Sequence, residues 1–358
     1  MSPDSVKTNR IVGLDGLRAL SVLFVLALHC RLPYAKGGGY GVDVFFVLSG
    51  FLITGNLARE YERAGGIHLP TFYFRRLLRL TPALFVMVIF FTALRAVLFP
   101  NQWPGFIWRE TLPSLLYISN FTKIFTRFPH VFGHMWSLAI EEQFYLMWPL
   151  VLLIALPHGA RFTLWLALGI ATASALWRAA LVAHGMPLQY WPSQGFETHL
   201  DSLLIGATLA MAPTITRVAI ARLWAPAIVL FLWSVFTFDK SMHANYYGIA
   251  VLIEICTAVV IAKIVTDQKH VLTRSLDWWP LAQLGLISYA FYLWHGPILN
   301  VIKDLFGIEG WTQAALTLPL TILIAGLSWV LVEKPARRWR DTALPTGKRK
   351  DVVQLPSN

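Results

Sequence analysis

Arg18 and His29 lie eleven residues apart in a stretch that is otherwise apolar. Eleven residues make close to three α-helical turns, so the two side chains share one helix face and lie about 16 Å apart along its axis. Near neutral pH an imidazole can serve as a general base or carry an acyl group transiently. On these two residues alone, a snorkelling arginine with an interfacial histidine is an equally good interpretation.

Further polar side chains fall at the ends of other apolar stretches, on the side where the topology given below places His29. Such groups could act as base, orienter or hydroxyl binder in one site. Glu141 is the candidate for orienting the imidazole or the incoming hydroxyl, with Asp43 and His295 as further candidates. The substrate-binding candidates on this side are Asp43, His134, Ser137, Glu142 and His295, and Glu197, His199 and Asp201 begin the sixth span from the same side.

A basic cluster marks the opposite side. Arg75, Arg76 and Arg79 precede the third apolar stretch. Arg76 and Arg79 are three residues apart, so they share a helix face and could hold a phosphate group with two guanidinium groups. Taken alone, the cluster is explained more simply as the positive charge that anchors a membrane helix on its cytoplasmic side.

The composition is that of a membrane protein. Hydrophobic residues make up 56% of the chain and charged residues 14%, against about 25% charged in ordinary globular domains. The net charge of +11 comes from basic residues between apolar stretches and near the C-terminus, which argues against nucleic acid as a partner. Cys30 and Cys256 both lie in apolar stretches, which excludes a disulfide framework, and neither has the neighbours of a metal site.

The elements that must position these groups are apolar stretches of roughly 17–25 residues, the length needed to cross a bilayer. We predict an all-α, polytopic bundle of about ten spans at about 14–30, 42–58, 80–99, 136–156, 162–183, 198–213, 221–237, 246–266, 281–301 and 312–332. The stretch 107–122 carries Arg109, Glu110 and Pro113, and we interpret it as interfacial or re-entrant. We expect a membrane domain over 1–340 and a basic, disordered cytoplasmic tail over 341–358.

Six blocks occur in order along the chain: Leu14-Asp15-Gly16-Leu17-Arg18 with His29, Gly41 to Ile53, Arg75 to Pro82, His134 to Tyr145, Ser288 to His295, and Glu333-Lys334-Pro335. Through these blocks the chain resembles the membrane acyltransferase-3 family, the O-acetyltransferases of bacterial surface polysaccharides. The resemblance extends over about 14–335. The stretch 157–270 matches only loosely, and we expect it to determine acceptor specificity.

The resemblance implies an acetyl-CoA or other acyl-CoA donor on the cytoplasmic side and a saccharide acceptor, such as lipopolysaccharide or exopolysaccharide, at the outer face of the bacterial inner membrane. Family members use an Arg-x10-His pair and an Arg-x-x-Arg motif, which here are Arg18 with His29 and Arg76 with Arg79. We therefore expect Arg18, Arg76 and Arg79, together with Arg75, to bind the donor, and His29 to catalyse transfer with Glu141 as the orienting group. Tyr289 joins the substrate-binding candidates. The expected partners are the acyl-CoA, the saccharide and the lipid bilayer. We expect no permanently bound cofactor and no metal, and the oligomeric state stays open.

Two other classes of protein remain open at this point. A secondary transporter would also bury charges in such a bundle, and Glu254 and Lys263, both in the eighth predicted span, could be its coupling pair. That class predicts inverted repeats and broken helices at matching positions of two halves, which the sequence does not display. A structural or assembly role would suit a degenerate relative, whereas every block above is intact.

The charge pattern generates a test of the topology. With ten spans and both ends in the cytoplasm, 19 of the 30 Lys and Arg residues lie on the cytoplasmic side and 7 on the outside, as the positive-inside rule requires. We expect reporter fusions to place both termini in the cytoplasm and residues near 240 outside. An extracytoplasmic C-terminus would rule out the ten-span topology.

Overall fold

A computed structural model describes residues 11–102 and 105–343, and throughout these ranges the regular structure is helical. The helices of the first half are α1 Leu14–His29, α2 Tyr40–Ala64, α3 Leu69–Leu98, α4 Leu112–Leu115, α5 Ser119–Thr126, α6 Met135–Ala155 and α7 Ala160–Ala183. Those of the second half are α8 Trp191–Gln194, α9 Leu200–Met211, α10 Thr214–Ala221, α11 Trp224–Thr237, α12 Ala250–Thr266, α13 Val271–Leu276, α14 Trp279–Leu286, α15 Ser288–Phe306, α16 Gly310–Ser328 and α17 Lys334–Ala343.

Six short segments connect or extend these helices. Three are 3₁₀-helical, at Lys36–Gly39, Pro100–Gln102 and Leu156–His158, and three are π-helical, at Ile107–Thr111, Asn245–Ile249 and Trp329–Glu333. The predicted tail over 341–358 begins inside α17, and its remaining residues, 344–358, lie outside the described ranges. The domain division at residue 340 therefore stays a prediction.

The helices confirm the expected all-α class and a multi-pass membrane protein. In the described ranges, six helices are long and apolar enough to cross a bilayer: Lys36–Ala64, Leu69–Leu98, Met135–His158, Ala160–Ala183, Asn245–Thr266 and Gly310–Arg340. The count of ten spans and the cytoplasmic location of both ends stay predictions. The stretch 107–122 forms short helical pieces, each too short to span a membrane.

The other predicted spans are short or broken. The one expected at 198–213 ends at Met211 and turns by 118° into α10, because Pro213 forces Ala212 into an extended conformation (φ −65°, ψ 140°). The one expected at 281–301 is divided at Ile287 between α14 and α15. Helix α1 has 16 residues and α11 has 14. At the breaks near Ala212 and Ile287, backbone N–H and C=O groups leave the helical hydrogen-bond pattern. Such groups need other hydrogen-bond partners when they lie within a membrane protein.

Glycines allow the closest helix crossings. A Cβ atom at Gly206 of α9 would lie 2.0 Å from the Val47 carbonyl oxygen of α2, and one at Gly50 would lie 1.7 Å from the Leu203 carbonyl oxygen. Small residues at such crossings let helices approach within van der Waals contact of their backbones, which is a main source of helix association in a bilayer. This crossing fixes α2, the helix that carries Asp43, Ser49 and Arg59.

We expect Gly206→Ala to lower the melting temperature of the purified protein, although alanine favours a helix over glycine by about 1 kcal/mol, because the added methyl group overlaps backbone. The matched control is Gly169→Ala on α7, where no atom lies within 4 Å of the added carbon. The control should melt at the same temperature as the wild type or higher. Equal melting temperatures for the two variants would contradict the crossing.

Candidate functional site

A cavity of about 400 Å³ opens between α1, α2, α3, α6, α14, α15 and α17. Its walls are mostly apolar, with polar groups at two levels. One level is formed by the beginnings of α1, α3 and α17 and by the end of α2. The other is formed by the beginnings of α2 and α6, where Phe45 and Ser137 face Tyr292 of α15. A largely preformed apolar cleft with a few convergent polar groups is typical of a ligand site.

Five arginines line the first level: Arg18, Arg59, Arg76, Arg79 and Arg337. Two carboxylates, Asp15 and Glu141, also line the cavity. Arg18 pairs with Asp15 at 3.6 Å. Arg76 lies 3.9 Å from Glu142 and stacks 3.5 Å above the ring of Tyr145. The cationic groups thus outnumber the carboxylates that line the same cavity.

Arg79 carries the least compensated charge. In the described part of the chain it forms no ion pair within 4.0 Å, and Arg59 contacts the amide oxygen of Asn56 at 2.6 Å. Neighbouring guanidinium groups repel one another, and burial strengthens that repulsion because little water screens it. A ligand that brings several negative charges would relieve the repulsion.

The predicted basic cluster divides between two faces of α3. Arg76 and Arg79 face the cavity, whereas Arg75 lies on the exposed side and is not among the lining residues. Arg59 and Arg337 were missed by the sequence analysis. The sequence held a signal for both: Arg59 ends an apolar stretch, and Arg337 follows Glu333 by four residues, which is about one helical turn.

Three histidines meet behind the second level. His29 Nδ1 and His295 Nε2 are 2.9 Å apart, and their rings are nearly coplanar, with centroids 5.1 Å apart and an interplanar angle of 7°. His134 packs edge-on against His295, with ring centroids 5.1 Å apart. His295 and His134 are buried, and His29 is half-buried. The structure thus brings together three of the predicted site histidines from α1, α15 and the start of α6.

Carbonyl groups determine the tautomers of this cluster. His295 Nδ1 is 2.6 Å from the carbonyl oxygen of Tyr292, so it must carry the proton and donate. In the neutral ring, His295 Nε2 is then an acceptor, and His29 Nδ1 must donate to it. The lone pair of His29 therefore resides on Nε2. A neutral imidazole with a free Nε2 lone pair, held by a hydrogen bond at Nδ1, is the form that a general base requires.

Tyr292 connects the histidines to the cavity. Its side chain lines the second level, and its hydroxyl lies 2.6 Å from Ser137 Oγ and donates to the His134 carbonyl oxygen at 3.0 Å. Its own carbonyl oxygen accepts the proton of His295. The histidines themselves do not line the cavity. His134 and His295 pack against Tyr292, and His29 lies behind His295.

Glu141 lies elsewhere in the same cavity. Ser49 Oγ donates to its Oε1 atom at 2.5 Å. The group that holds the His29 ring is therefore His295, and the proposed contact of Glu141 with an incoming hydroxyl stays a prediction. Tyr289, another predicted residue, lines the cavity and donates its hydroxyl to the Leu80 carbonyl oxygen at 2.7 Å. Glu142 is engaged with Arg76.

Other predicted groups lie outside this cavity. Asp43 pairs with Lys240 at 2.6 Å and is not a lining residue. Glu254 accepts a hydrogen bond from Ser202 at 2.7 Å, and Lys263 pairs with Asp267 at 3.0 Å. Glu254 and Lys263 therefore have separate partners and do not form the coupling pair that a transporter would use.

The chain is similar to a known family of proteins and to individual proteins of three bacteria. A family model described as an acyltransferase domain matches residues 11–333. The chain is 33% identical over 354 residues to peptidoglycan O-acetyltransferase OatA of Listeria monocytogenes, across 92% of this chain and 56% of that protein. It is 32% identical to the putative peptidoglycan O-acetyltransferase YrhL of Bacillus subtilis, across 91% and 55%, and 28% identical to a putative O-acetyltransferase of Staphylococcus aureus, across 97% and 62%.

The chain thus spans little more than half the length of these relatives. No solved structure matches it.

The first level, which we call the arginine level after its five arginines, can be tested by comparing substitutions on the two faces of α3. We expect Arg79→Ala to weaken the binding of coenzyme A by about tenfold or more, since hydrogen bonds to charged groups contribute about 1.5–3 kcal/mol. Salt should weaken binding to the intact protein as well. Arg75→Ala should have a much smaller effect, because Arg75 faces away from the cavity, and Arg63→Ala on the exposed end of α2 is the control. Equal losses for Arg75→Ala and Arg79→Ala would contradict the assignment of this cavity to a polyanion.

Proposed function

We propose that this chain, which belongs to the acyltransferase family whose model matches residues 11–333, moves an acetyl group from acetyl-CoA to a hydroxyl group of a saccharide. One observation carries the proposal: an arginine-lined cavity ends at Tyr292, which packs against His295, and His295 in turn holds His29 so that the lone pair of its Nε2 atom can act as a base. The relatives named as O-acetyltransferases support the same chemistry.

The donor would enter from the arginine level. Coenzyme A carries several phosphate charges, which suit Arg18, Arg76 and Arg79, and its pantetheine arm is thin enough to lie along the apolar walls. Arg18 and His29 are eleven residues apart on α1, about 16 Å along the helix axis. An extended arm can cover much of that distance and bring the thioester towards Tyr292 and Ser137.

His29 would act at the thioester end. In direct transfer, the acceptor oxygen attacks the thioester carbon while His29 Nε2 takes up the hydroxyl proton; the carbon–sulfur bond then breaks, and the thiolate recovers a proton to leave as coenzyme A. In transfer through the protein, His29 Nε2 itself attacks the thioester carbon, the carbon–sulfur bond breaks and coenzyme A leaves as the thiolate. The acceptor hydroxyl then attacks the acetyl carbon, the carbon–nitrogen bond breaks, and the hydroxyl proton passes to the thiolate. Both routes require the lone pair on Nε2.

His295 is a positioning residue in this proposal. It accepts the Nδ1 proton of His29 and is itself fixed by the carbonyl oxygen of Tyr292. The arrangement follows the general pattern of a catalytic base whose ring is held by a third group. The imidazolium that forms during proton transfer is stabilised through this hydrogen bond.

The acceptor would be a surface glycan at the outer face of the bacterial cytoplasmic membrane. Lipopolysaccharide and exopolysaccharide are the acceptors that the family resemblance implies, and the relatives add peptidoglycan, since two of them bear that name. The predicted topology supports this direction of transfer, because it places the arginine level inside and the histidines outside.

We expect His29→Ala and His29→Gln to lower the turnover number for acetyl transfer by about 10²–10⁴-fold or more, because neither side chain can take up a proton at neutral pH. Coenzyme A binding should be retained, since the arginine level is unchanged. Wild-type turnover should also fall in acid, because a protonated imidazole has no lone pair. Near-normal turnover of His29→Gln would move the chemistry to Glu141.

The role of His295 is tested separately. His295→Ala should lower the turnover number more than it raises the Michaelis constant for either substrate, because it removes the acceptor for the Nδ1 proton of His29. His295→Gln supplies an amide oxygen that can accept the same proton, so it should recover part of the loss. If alanine and glutamine at this position give equal turnover, His295 serves only to fill the core.

A further inference from the structure

A second cavity lies on the other side of α2, and the chemistry assigned so far does not use it. It has a volume of about 180 Å³ and is bounded by Asp43, Trp136, His199, Lys240, Gln194 and Asn245, among others. Most of its wall comes from α7, α8, the start of α9 and the π-helical segment Asn245–Ile249. These elements belong to 157–270, the stretch that resembles the family only loosely.

The charges of this cavity compensate one another. Lys240 pairs with Asp43 at 2.6 Å, and Arg178 pairs with Asp201 at 2.6 Å. This balance contrasts with the surplus of arginines in the larger cavity. A cavity with paired charges favours a neutral ligand, because an added ionic group would have to displace one member of a buried pair.

Two residues of the wall, Asn245 and Gln194, carry buried amide oxygens that have no hydrogen-bond partner in the described part of the chain. Asn245 is 5% exposed, and within the described residues its Oδ1 atom accepts no hydrogen bond. The Oε1 atom of Gln194 is likewise buried and accepts none in the described ranges. His199 Nδ1 donates to the Gly195 carbonyl oxygen at 3.0 Å, which makes Nε2 of the neutral ring an acceptor. Buried polar atoms normally have partners, and three acceptors at one cavity suit a ligand with several donor groups.

An aromatic partition separates the two cavities. Trp136 and His199 line the smaller cavity and pack against Phe46 of α2, with ring centroids 6.3 and 6.1 Å from the Phe46 centroid. Phe46 lines the larger cavity. Trp136 is also the neighbour in sequence of Ser137, which lies at the Tyr292 end of the larger cavity. A group held in the smaller cavity is therefore one aromatic layer away from the proposed acyl position.

An open pocket of about 600 Å³ adjoins the smaller cavity. The two share Ser193, Lys240 and Tyr246. The smaller cavity lies below the roughly 300–1,000 Å³ that holds a drug-sized ligand, so it suits a single sugar unit. The open pocket gives room for the units attached to it.

We propose that the smaller cavity, with Asn245, Gln194 and Trp136 on its wall, binds one neutral sugar unit of the acceptor. The amide oxygens accept hydrogen bonds from its hydroxyl or acetamido groups, and the indole of Trp136 packs against its apolar face. This proposal rests on the proposed function for its purpose, since it supplies the acceptor to that reaction. Sugar binding itself can be measured without any transfer.

The experiment titrates the purified full-length protein with chitotriose, a trimer of N-acetylglucosamine, and with maltotriose by calorimetry. We expect saturable binding of at least one trisaccharide, weakened about tenfold or more by Asn245→Ala and by Gln194→Ala, since each removes a hydrogen bond of about 1–2 kcal/mol to a buried group. Trp136→Ala should weaken binding, and Trp136→Phe should retain part of it. Asn101→Ala, at an exposed residue that lines neither cavity, should bind as the wild type does.

Two outcomes would overturn the proposal: no binding of either trisaccharide to the wild type, or equal binding by the wild type, Asn245→Ala and Gln194→Ala. The Gln194 variant decides if Asn245→Ala does not fold. Coenzyme A binding by the same variants should be unchanged. If sugar binding is lost in these variants while the wild type transfers no acetyl group from acetyl-CoA, the sugar site stands and the proposed function falls. If the wild type transfers acetyl groups from acetyl-CoA but the variants bind sugar as the wild type does, the proposed function stands and the sugar site falls.

Discussion

The rest of this structure depends on one constraint, the mutual repulsion of five arginine side chains inside an apolar helix bundle. Arg18, Arg59, Arg76, Arg79 and Arg337 come from four different helices and share the wall of one cavity. Each guanidinium group loses hydration there, and the repulsion among them is poorly screened. The protein offsets part of this through Asp15, Glu142 and the ring of Tyr145. The positive charge that is not compensated in this way favours the binding of a polyanion.

The breaks in the helices follow from the need to place polar groups at membrane depth. Irregular backbone is tolerated there only where it is enclosed by protein or lines a cavity. The chain meets this condition at Ile287 between α14 and α15, because the residues on either side of it, Leu286 and Ser288, line the larger cavity. It meets it again at the π-helical segment Asn245–Ile249, which lines the smaller one. Long unbroken helices such as α3 and α7 supply the scaffold around these sites.

The two cavities differ in the ligand that they suit, and α2 stands between them. One cavity has an excess of arginines, and the other has paired charges and unpartnered amide oxygens. The glycine crossing of α2 with α9 holds this helix within backbone contact of its neighbour. A separation of this kind would let a charged donor and a neutral acceptor reach one reaction centre from opposite sides without competing for the same groups.

The sequence by itself determined the class of fold, the family resemblance, and the pairing of Arg18 with His29 on one face. Each of these depends on residues that are near one another in the sequence. The fold class follows from apolar stretches of spanning length, the resemblance from blocks in a fixed order, and the shared face from a spacing of eleven residues, which is close to three helical turns. The same local information showed that Arg76 and Arg79 share a face. It could not show which face of α3 is turned inward, so Arg75 was grouped with them.

Only the tertiary structure decided which groups meet. His29 and His295 are 266 residues apart in sequence and 2.9 Å apart in space, and no period within either helix indicates that contact. Asp43 forms an ion pair with Lys240, although its position in the sequence predicted that it would lie near His29. Glu141 took Ser49 as its partner. Contacts of this kind depend on the depth and rotation of whole helices, which are fixed by close packing between glycines and side chains distant in sequence.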